Sequence, residues 1–220
     1  IAQHSHLEPE VFGLPEIFEL QPLFVLIRFG RWDDVLKEPR PPESARLMNA
    51  LWHYGRGLAF VYREKPAQAG QELAAVRAIG QDPALADKYT GFAPTVRLIN
   101  IATEILAGEI AAAAGQYDPA IASLQRATLL QDGLMYNEPP EWFFPARHYL
   151  GAVLLEAGLP REAEVVYWQD LKRNRENGYA LLGLQKAMEA QGRAGEAAAI
   201  AERQRTAFAE ADVTLTSSRF

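Results

Sequence analysis

The chain has 220 residues, 49% of them hydrophobic, and its 22 lysines and arginines against 28 aspartates and glutamates give a net charge of −6. This length allows a sizeable core, and the basic residues are scattered instead of clustered, so nucleic acid is not an expected partner. There is no cysteine, which excludes disulfides, thiol nucleophiles and cysteine-ligated metal sites.

The apolar run Leu23–Ile27 is bounded by Pro22 and Arg28. It is far shorter than the roughly 20 apolar residues that a membrane-spanning helix needs. We therefore expect no membrane partner and a soluble protein, with the cytoplasm slightly favoured as its location.

Helical signals dominate, because alanine is abundant and glycine-punctuated segments follow one another with few β-branched alternating runs. Gly192 follows Gly158 by 34 residues, and Glu64 follows Gly30 by the same interval. Such a period predicts a helical repeat. In chain order, the predicted turns between paired helices lie at Gly30, Glu64, Gly115, Gly158 and Gly192.

Other residues indicate where these helices begin and end and which face meets solvent. The prolines within Glu38–Ser44 end one helix, and Pro94 is expected in the first turn of a long helix that reaches about Ala114. The charge-rich segment Arg161–Asn177 reads as the solvated face of a helix. The β-branched tail from Asp212 is expected to be extended.

The residues around Gly158 form a recognisable repeat motif. Leucine and glycine precede the turn, and a small and an aromatic residue follow it, at Leu150, Gly151, Leu154, Ala163 and Tyr167. This pattern resembles the tetratricopeptide repeat, a helix–turn–helix unit whose small residues let helices A and B approach closely. The resemblance implies an all-α, right-handed solenoid of about five units, with insertions after units two and three. It implies one domain over residues 1–220, with units at about 16–43, 44–82, 94–131, 144–177 and 178–211 and a tail at 212–220.

A second likeness covers essentially the whole chain. The segments EPPEWFFPARHYLGAVLLEAG, NGYALLGL and ADVTLTSSRF resemble the C-terminal half of a group of bacterial multi-repeat tetratricopeptide proteins. In that group tyrosines are common where Phe143 and Phe144 stand here. The resemblance implies a scaffold without an activity to carry over, and it implies that a further N-terminal half precedes Ile1.

Candidate site residues come from stacking the repeats in register. At the fourth position of helix A, where the repeat family usually has a large apolar residue, stand Glu19, His53, Glu104, Arg147 and Leu181. Charged groups between helices are costly unless they are paired. Glu104 and Arg147 are therefore expected either to pair across the stack or to line a concave surface that orients a charged ligand group.

Aromatic residues form the second candidate set. Trp52 and Tyr54 flank His53, with Arg56 one turn on, while Trp142 and Phe143 precede the fourth helix A and His148 lies within it. Because helix A faces inward in this architecture, both clusters are expected either to face the concave side as partner contacts or to pack between repeats. The predicted binding residues are Trp52, His53, Tyr54, Arg56, Glu104, Trp142, Phe143, Arg147 and His148.

The predicted function is non-catalytic binding of a protein or peptide, without a cofactor. Nucleophile-elbow, P-loop, dinucleotide-binding and zinc-protease motifs are absent from the sequence. His4 and His6 have a spacing that two metal ligands can use, but a mobile terminus is the favoured interpretation and no metal site is predicted. Two alternatives stay open: a small-molecule or metal-sensing module, and an enzyme with acid and base groups in the groove.

Overall fold

The computed structural model describes residues 18–220, so His4 and His6 lie outside the described residues. The described part contains ten α-helices, and the predicted all-α helical-repeat class is confirmed. The helices are α1 Gln21–Arg28, α2 Trp32–Val35, α3 Arg46–Tyr62, α4 Pro66–Gly80, α5 Thr95–Ala113, α6 Tyr117–Asp132, α7 Ala146–Glu156, α8 Pro160–Arg173, α9 Gly178–Ala190 and α10 Ala194–Ala207.

One small antiparallel hairpin interrupts the helices. Strand β1, Tyr89–Thr90, pairs with β2, Ala93–Pro94, and Tyr89 lies opposite Pro94. The prediction that Pro94 lies in the first helical turn was wrong by one residue, because Pro94 belongs to β2 and α5 starts at Thr95. Proline suits this edge position, since a two-stranded hairpin needs few ladder donors.

The predicted turn residues all have left-handed backbone conformations. Their φ angles lie between 54° at Glu64 and 74° at Gly192. Each follows the last turn of one helix and precedes the next, where a positive φ ends the first helix and reverses the chain. The five residues are Gly30, Glu64, Gly115, Gly158 and Gly192.

The described chain divides into two compact units. The first comprises the described residues up to Leu106 together with Leu130–Phe143, and the second comprises Ala107–Leu129 together with Phe144–Phe220. Helices α5 and α6 each contribute residues to both units. The expectation of one domain with five repeat boundaries stays a prediction.

In the first unit, close helix contacts depend on glycine. Gly55 of α3 faces Leu23 and Ile27 of α1, and a Cβ added there would lie 3.1 Å and 3.0 Å from their side chains. On the same helix, a Cβ at Gly57 would overlap the Leu106 side chain. The absence of side chains at these positions lets α3 approach its neighbours closely.

In the second unit, Tyr167 of α8 packs between two glycines. A Cβ at Gly151 of α7 or at Gly183 of α9 would overlap the Tyr167 ring. The ring is fully buried, and its hydroxyl lies 2.7 Å from the Ser218 hydroxyl. Tyr167 therefore joins α7, α8 and α9 through one aromatic ring, which agrees with its repeat-consensus position.

The tail 212–220 has no helix or strand and packs against the second unit. Buried Ser218 donates a hydrogen bond to the His148 carbonyl at 2.8 Å. The Arg219 guanidinium binds Glu109 at 2.6 Å and Glu156 at 2.5 Å. The tail thus joins α5 and α7 within its unit, through side chains that local sequence patterns did not single out.

Candidate functional site

Seven of the nine predicted site residues belong to the first unit and two belong to the second. Three of them join a half-buried polar cluster in the first unit, and three belong to an aromatic cluster in the same unit. Glu104 lies on α5 in the first unit, whereas Arg147 and His148 lie on α7 in the second.

The first group is the Glu72 cluster, which consists of Trp52, His53 and Arg56 of α3 with Glu72 of α4. The Glu72 carboxylate accepts from Arg56 Nε at 2.9 Å and lies 2.5 Å from His53 Nδ1. The Arg56 guanidinium stacks over the Trp52 ring at 4.5 Å. The Trp52 indole N–H donates to the Glu38 carbonyl at 2.9 Å. Each of these polar groups thus has a hydrogen-bonding partner. Through Trp52, the cluster holds the start of the proline-containing segment Glu38–Ser44 against the α3–α4 hairpin.

The electrostatics of the cluster favour an ionised Glu72. Burial by itself raises the pKa of the carboxyl, but hydrogen bonds from His53 and Arg56 outweigh it and lower the pKa below its ordinary value of 4.5. Glu72 was not predicted as a site residue. A signal was present, since Glu72 lies three residues after buried Ala69 and four before buried Val76, on one helical face.

The aromatic cluster holds Tyr54, Trp142 and Phe143. Tyr54 is fully buried and Trp142 is 3% exposed, with ring centroids 5.7 Å apart in an edge arrangement. Phe143 is half-buried and stacks on Phe24 of α1 at 4.0 Å. Within the first unit, Trp142 and Phe143 therefore pack on helices of the first two predicted repeats.

Glu141 anchors this segment. Its carboxylate accepts from the backbone N–H of Phe92 at 3.0 Å and from the Asn137 amide at 2.9 Å. Glu141 is only 5% exposed. The Phe92 N–H, in the turn of the β1–β2 hairpin, thus offsets part of the free-energy cost of burying this carboxylate.

Glu104 and Arg147 are both half-buried, and both have interaction partners in the folded chain. The two residues belong to different units. Their predicted pairing, and the alternative role in ligand binding, stay predictions.

His148 forms a buried pair in the second unit. Its Nε2 lies 3.0 Å from an Asp170 carboxylate oxygen, and the two side chains are 0% and 1% exposed. The other oxygen of Asp170 accepts from Asn174 at 2.9 Å. The His148 ring stacks on Tyr179 at 6.1 Å and meets the Phe144 ring edge-on at 5.0 Å.

The interpretation of Arg161–Asn177 as the solvated face of a helix was wrong at Asp170, which is buried. Ala163, Tyr167 and Asp170 follow one another at helical spacing, and all three are buried. The charged residues around Asp170 favoured an exposed position. The repeat consensus at Ala163 and Tyr167 nevertheless indicates that Asp170 lies on the buried face of the helix.

An open groove lies in the second unit between α6 and the α7–α8 hairpin, with a cavity volume of about 360 Å³. Its floor is apolar and its rim carries two carboxylates. The lining residues are Asp118, Ile121, Ala122, Gln125, Leu150, Leu154, Leu159, Glu162 and Val166. None of these was predicted as a site residue.

Comparisons with known proteins add one structural likeness. No family model matches the chain, and no curated protein matches it. Among solved structures, the chain is similar to one titled "Crystal structure of MamA protein", with 14% sequence identity, a TM-score of 0.48, and coverage of 93% of this chain and 100% of that one. This TM-score is too low to support an argument about the fold. The helical-repeat fold stated above rests on the helices and turns of this chain.

Within residues 18–220, no three His, Asp or Glu side chains come together in a way that would hold a metal ion. Over the same residues, no helix combines the length and the apolar character needed to cross a membrane.

Proposed function

We propose that this chain is a non-catalytic helical-repeat module that binds a protein or peptide partner. The observation that carries the proposal is the fixed geometry of Trp52 and Arg56, which stack at 4.5 Å and are half-buried on α3. Tryptophan and arginine dominate the energetics of protein interfaces, and contacts held rigid before binding cost less entropy.

In this proposal, some of the remaining predicted residues contact the partner and others support the surface. His53 and Phe143 are half-buried in the same unit and contribute further contacts. Tyr54 and Trp142 are buried, so they support that surface from beneath and do not touch the partner. Glu104 and Arg147 remain proposed polar contacts, and buried His148 is proposed as a support.

The test begins with the full chain as bait and ends with a purified complex. Proteins retained by the chain are identified, produced separately and titrated against it by calorimetry. Trp52→Ala should weaken binding by about 30-fold or more, the effect of removing an interface hot spot. Circular dichroism and thermal unfolding of the variant establish that it is folded.

Trp168→Ala is the matched control. Trp168 is also partly exposed, at 38%, and also lies near an arginine, with Arg203 5.9 Å from its ring. Its removal should leave the affinity within about twofold. Equal losses from both variants would contradict the proposed surface. Native mass spectrometry that shows a bound small molecule in place of a protein would favour the sensing alternative.

A further inference from the structure

We infer that the groove of the second unit is a separate binding site for a protein segment that presents an apolar side chain flanked by lysine or arginine. The groove lies on residues of α6, α7 and α8 that the proposed function does not use. Binding in this groove does not depend on whether Trp52 contacts a partner.

The shape and floor of the groove suit an apolar side chain. Its volume of about 360 Å³ lies within the range of about 300–1,000 Å³ that is usual for ligand pockets. Leu150 and Leu154 of α7 close the floor and are each 4% exposed, while Ile121 and Val166 form half-buried walls. Filling this space with a leucine-sized group would remove apolar surface from water.

Apolar surface continues beyond the groove. Leu129 is 70% exposed and lies four residues after the lining residue Gln125, on the same face of α6. Val165 is 55% exposed and lies three residues after the lining residue Glu162 on α8. Apolar residues adjoining a groove in this way indicate an interaction surface larger than one small molecule.

The charge of the rim selects the partner. Asp118 and Glu162 are exposed, and each lies in the first turn of its helix, where a carboxylate is favourable in any protein. What distinguishes this pair is that both line one groove with an apolar floor, and no lysine or arginine is among the described lining residues. Cationic side chains beside an apolar anchor would meet both features.

Charge complementarity also decides against the other occupants. An acidic segment would place like charges against the rim, which costs binding energy. A small apolar molecule would use the floor and leave the carboxylates without a role. A second copy of this chain carries the same net charge of −6, so long-range repulsion opposes it.

The test uses two synthetic helical peptides of about 18 residues with leucines at the same helical spacing. One carries lysines at its other surface positions and the second carries glutamates. Binding of each fluorescently labelled peptide to the full chain is followed by anisotropy. The lysine peptide should bind at least about tenfold tighter than the glutamate peptide, and added salt should reduce the difference.

Variants locate the binding. The double change Asp118→Asn with Glu162→Gln should weaken the lysine peptide by about two- to thirtyfold, as expected for two solvent-exposed ion pairs. Ala122→Trp should block the groove, because Ala122 lines it and is half-buried. The matched control is Glu210→Gln with Asp212→Asn, which removes the same charge from exposed positions of the same unit and should change little.

Each result decides for or against the site. Equal binding of the two peptides, or unchanged binding to both the double variant and Ala122→Trp, would overturn it. Concentration-dependent dimerisation abolished by Ala122→Trp would assign the groove to a second copy instead. Trp52→Ala separates the two proposals, since it should leave binding of the lysine peptide unchanged even where it abolishes binding of the partner.

Discussion

The two units each contain a histidine–carboxylate pair in very different surroundings. In the first, His53 and Glu72 lie 2.5 Å apart with side chains 16% and 12% exposed, and Arg56 binds the same carboxylate. In the second, His148 and Asp170 lie 3.0 Å apart with side chains 0% and 1% exposed. Aromatic rings cover the second pair, whereas solvent reaches the first.

This difference indicates different roles for similar chemistry. A carboxylate at the solvent boundary can exchange a protein partner for water, so its hydrogen bonds contribute only modestly to stability. A ligand can also reach such a group. A buried carboxylate has no such alternative, and its pairing is needed for the fold. The proposed binding surface therefore includes His53 of the half-buried pair, whereas His148 of the buried pair is proposed only as a support.

The largest expected effect is at the buried pair. Asp170→Ala should reduce the free energy of unfolding by about 3–5 kcal/mol, because it leaves the buried His148 side chain without its acceptor. Urea unfolding measures the change. Asp170→Asn is the conservative control, since it keeps an acceptor oxygen, and the double variant with His148→Leu and Asp170→Leu should recover much of the loss.

A smaller effect is expected at the half-buried His53–Glu72 pair. Glu72→Ala should cost about 1–3 kcal/mol, because His53 and Arg56 lose a hydrogen-bonded carboxylate but regain water. The same urea measurement applies, with Glu176→Ala as an exposed control that also pairs with an arginine. A loss at Glu72 as large as that at Asp170 would remove the contrast between the two units.

The smallest effect is a pH dependence. The pKa of Glu72 lies below its ordinary value of 4.5, so its ionised form contributes stability that is complete above that pH and is lost as the pH falls through the folded-state pKa. The stability difference between the native chain and Glu72→Gln should therefore shrink on going from pH 7 to below pH 4.5. A difference that stays constant over this range would show that the charge of Glu72 does not act in the cluster.

The repeat was readable because its signals are local. A left-handed turn favours glycine within a few residues, and all five predicted turn positions have a positive φ. The tyrosine of the repeat consensus likewise packs where small residues leave room, between Gly151 and Gly183. Such patterns depend on the geometry of one helix pair and therefore recur with the repeat.

The candidate site was predicted only in part, because its contacts join distant segments. Phe143 stacks on Phe24, Glu141 holds the backbone of Phe92, and Arg219 binds Glu109. No spacing rule relates these pairs. The partners Glu72 and Asp170 each lie on a helix face that carries buried residues, but which side chain they meet depends on the neighbouring helix.

By itself, the sequence determined the helical class and the positions of the turns, since these follow from backbone preferences and from side-chain periodicity within one or two helices. The tertiary structure alone decided that Tyr54, Trp142 and His148 are buried while Trp52 and Arg56 stay half-buried, and that an acid-rimmed groove opens beside α6. Burial and pairing at these positions depend on how separate helices and loops pack, and that packing is a property of the whole unit instead of any one segment.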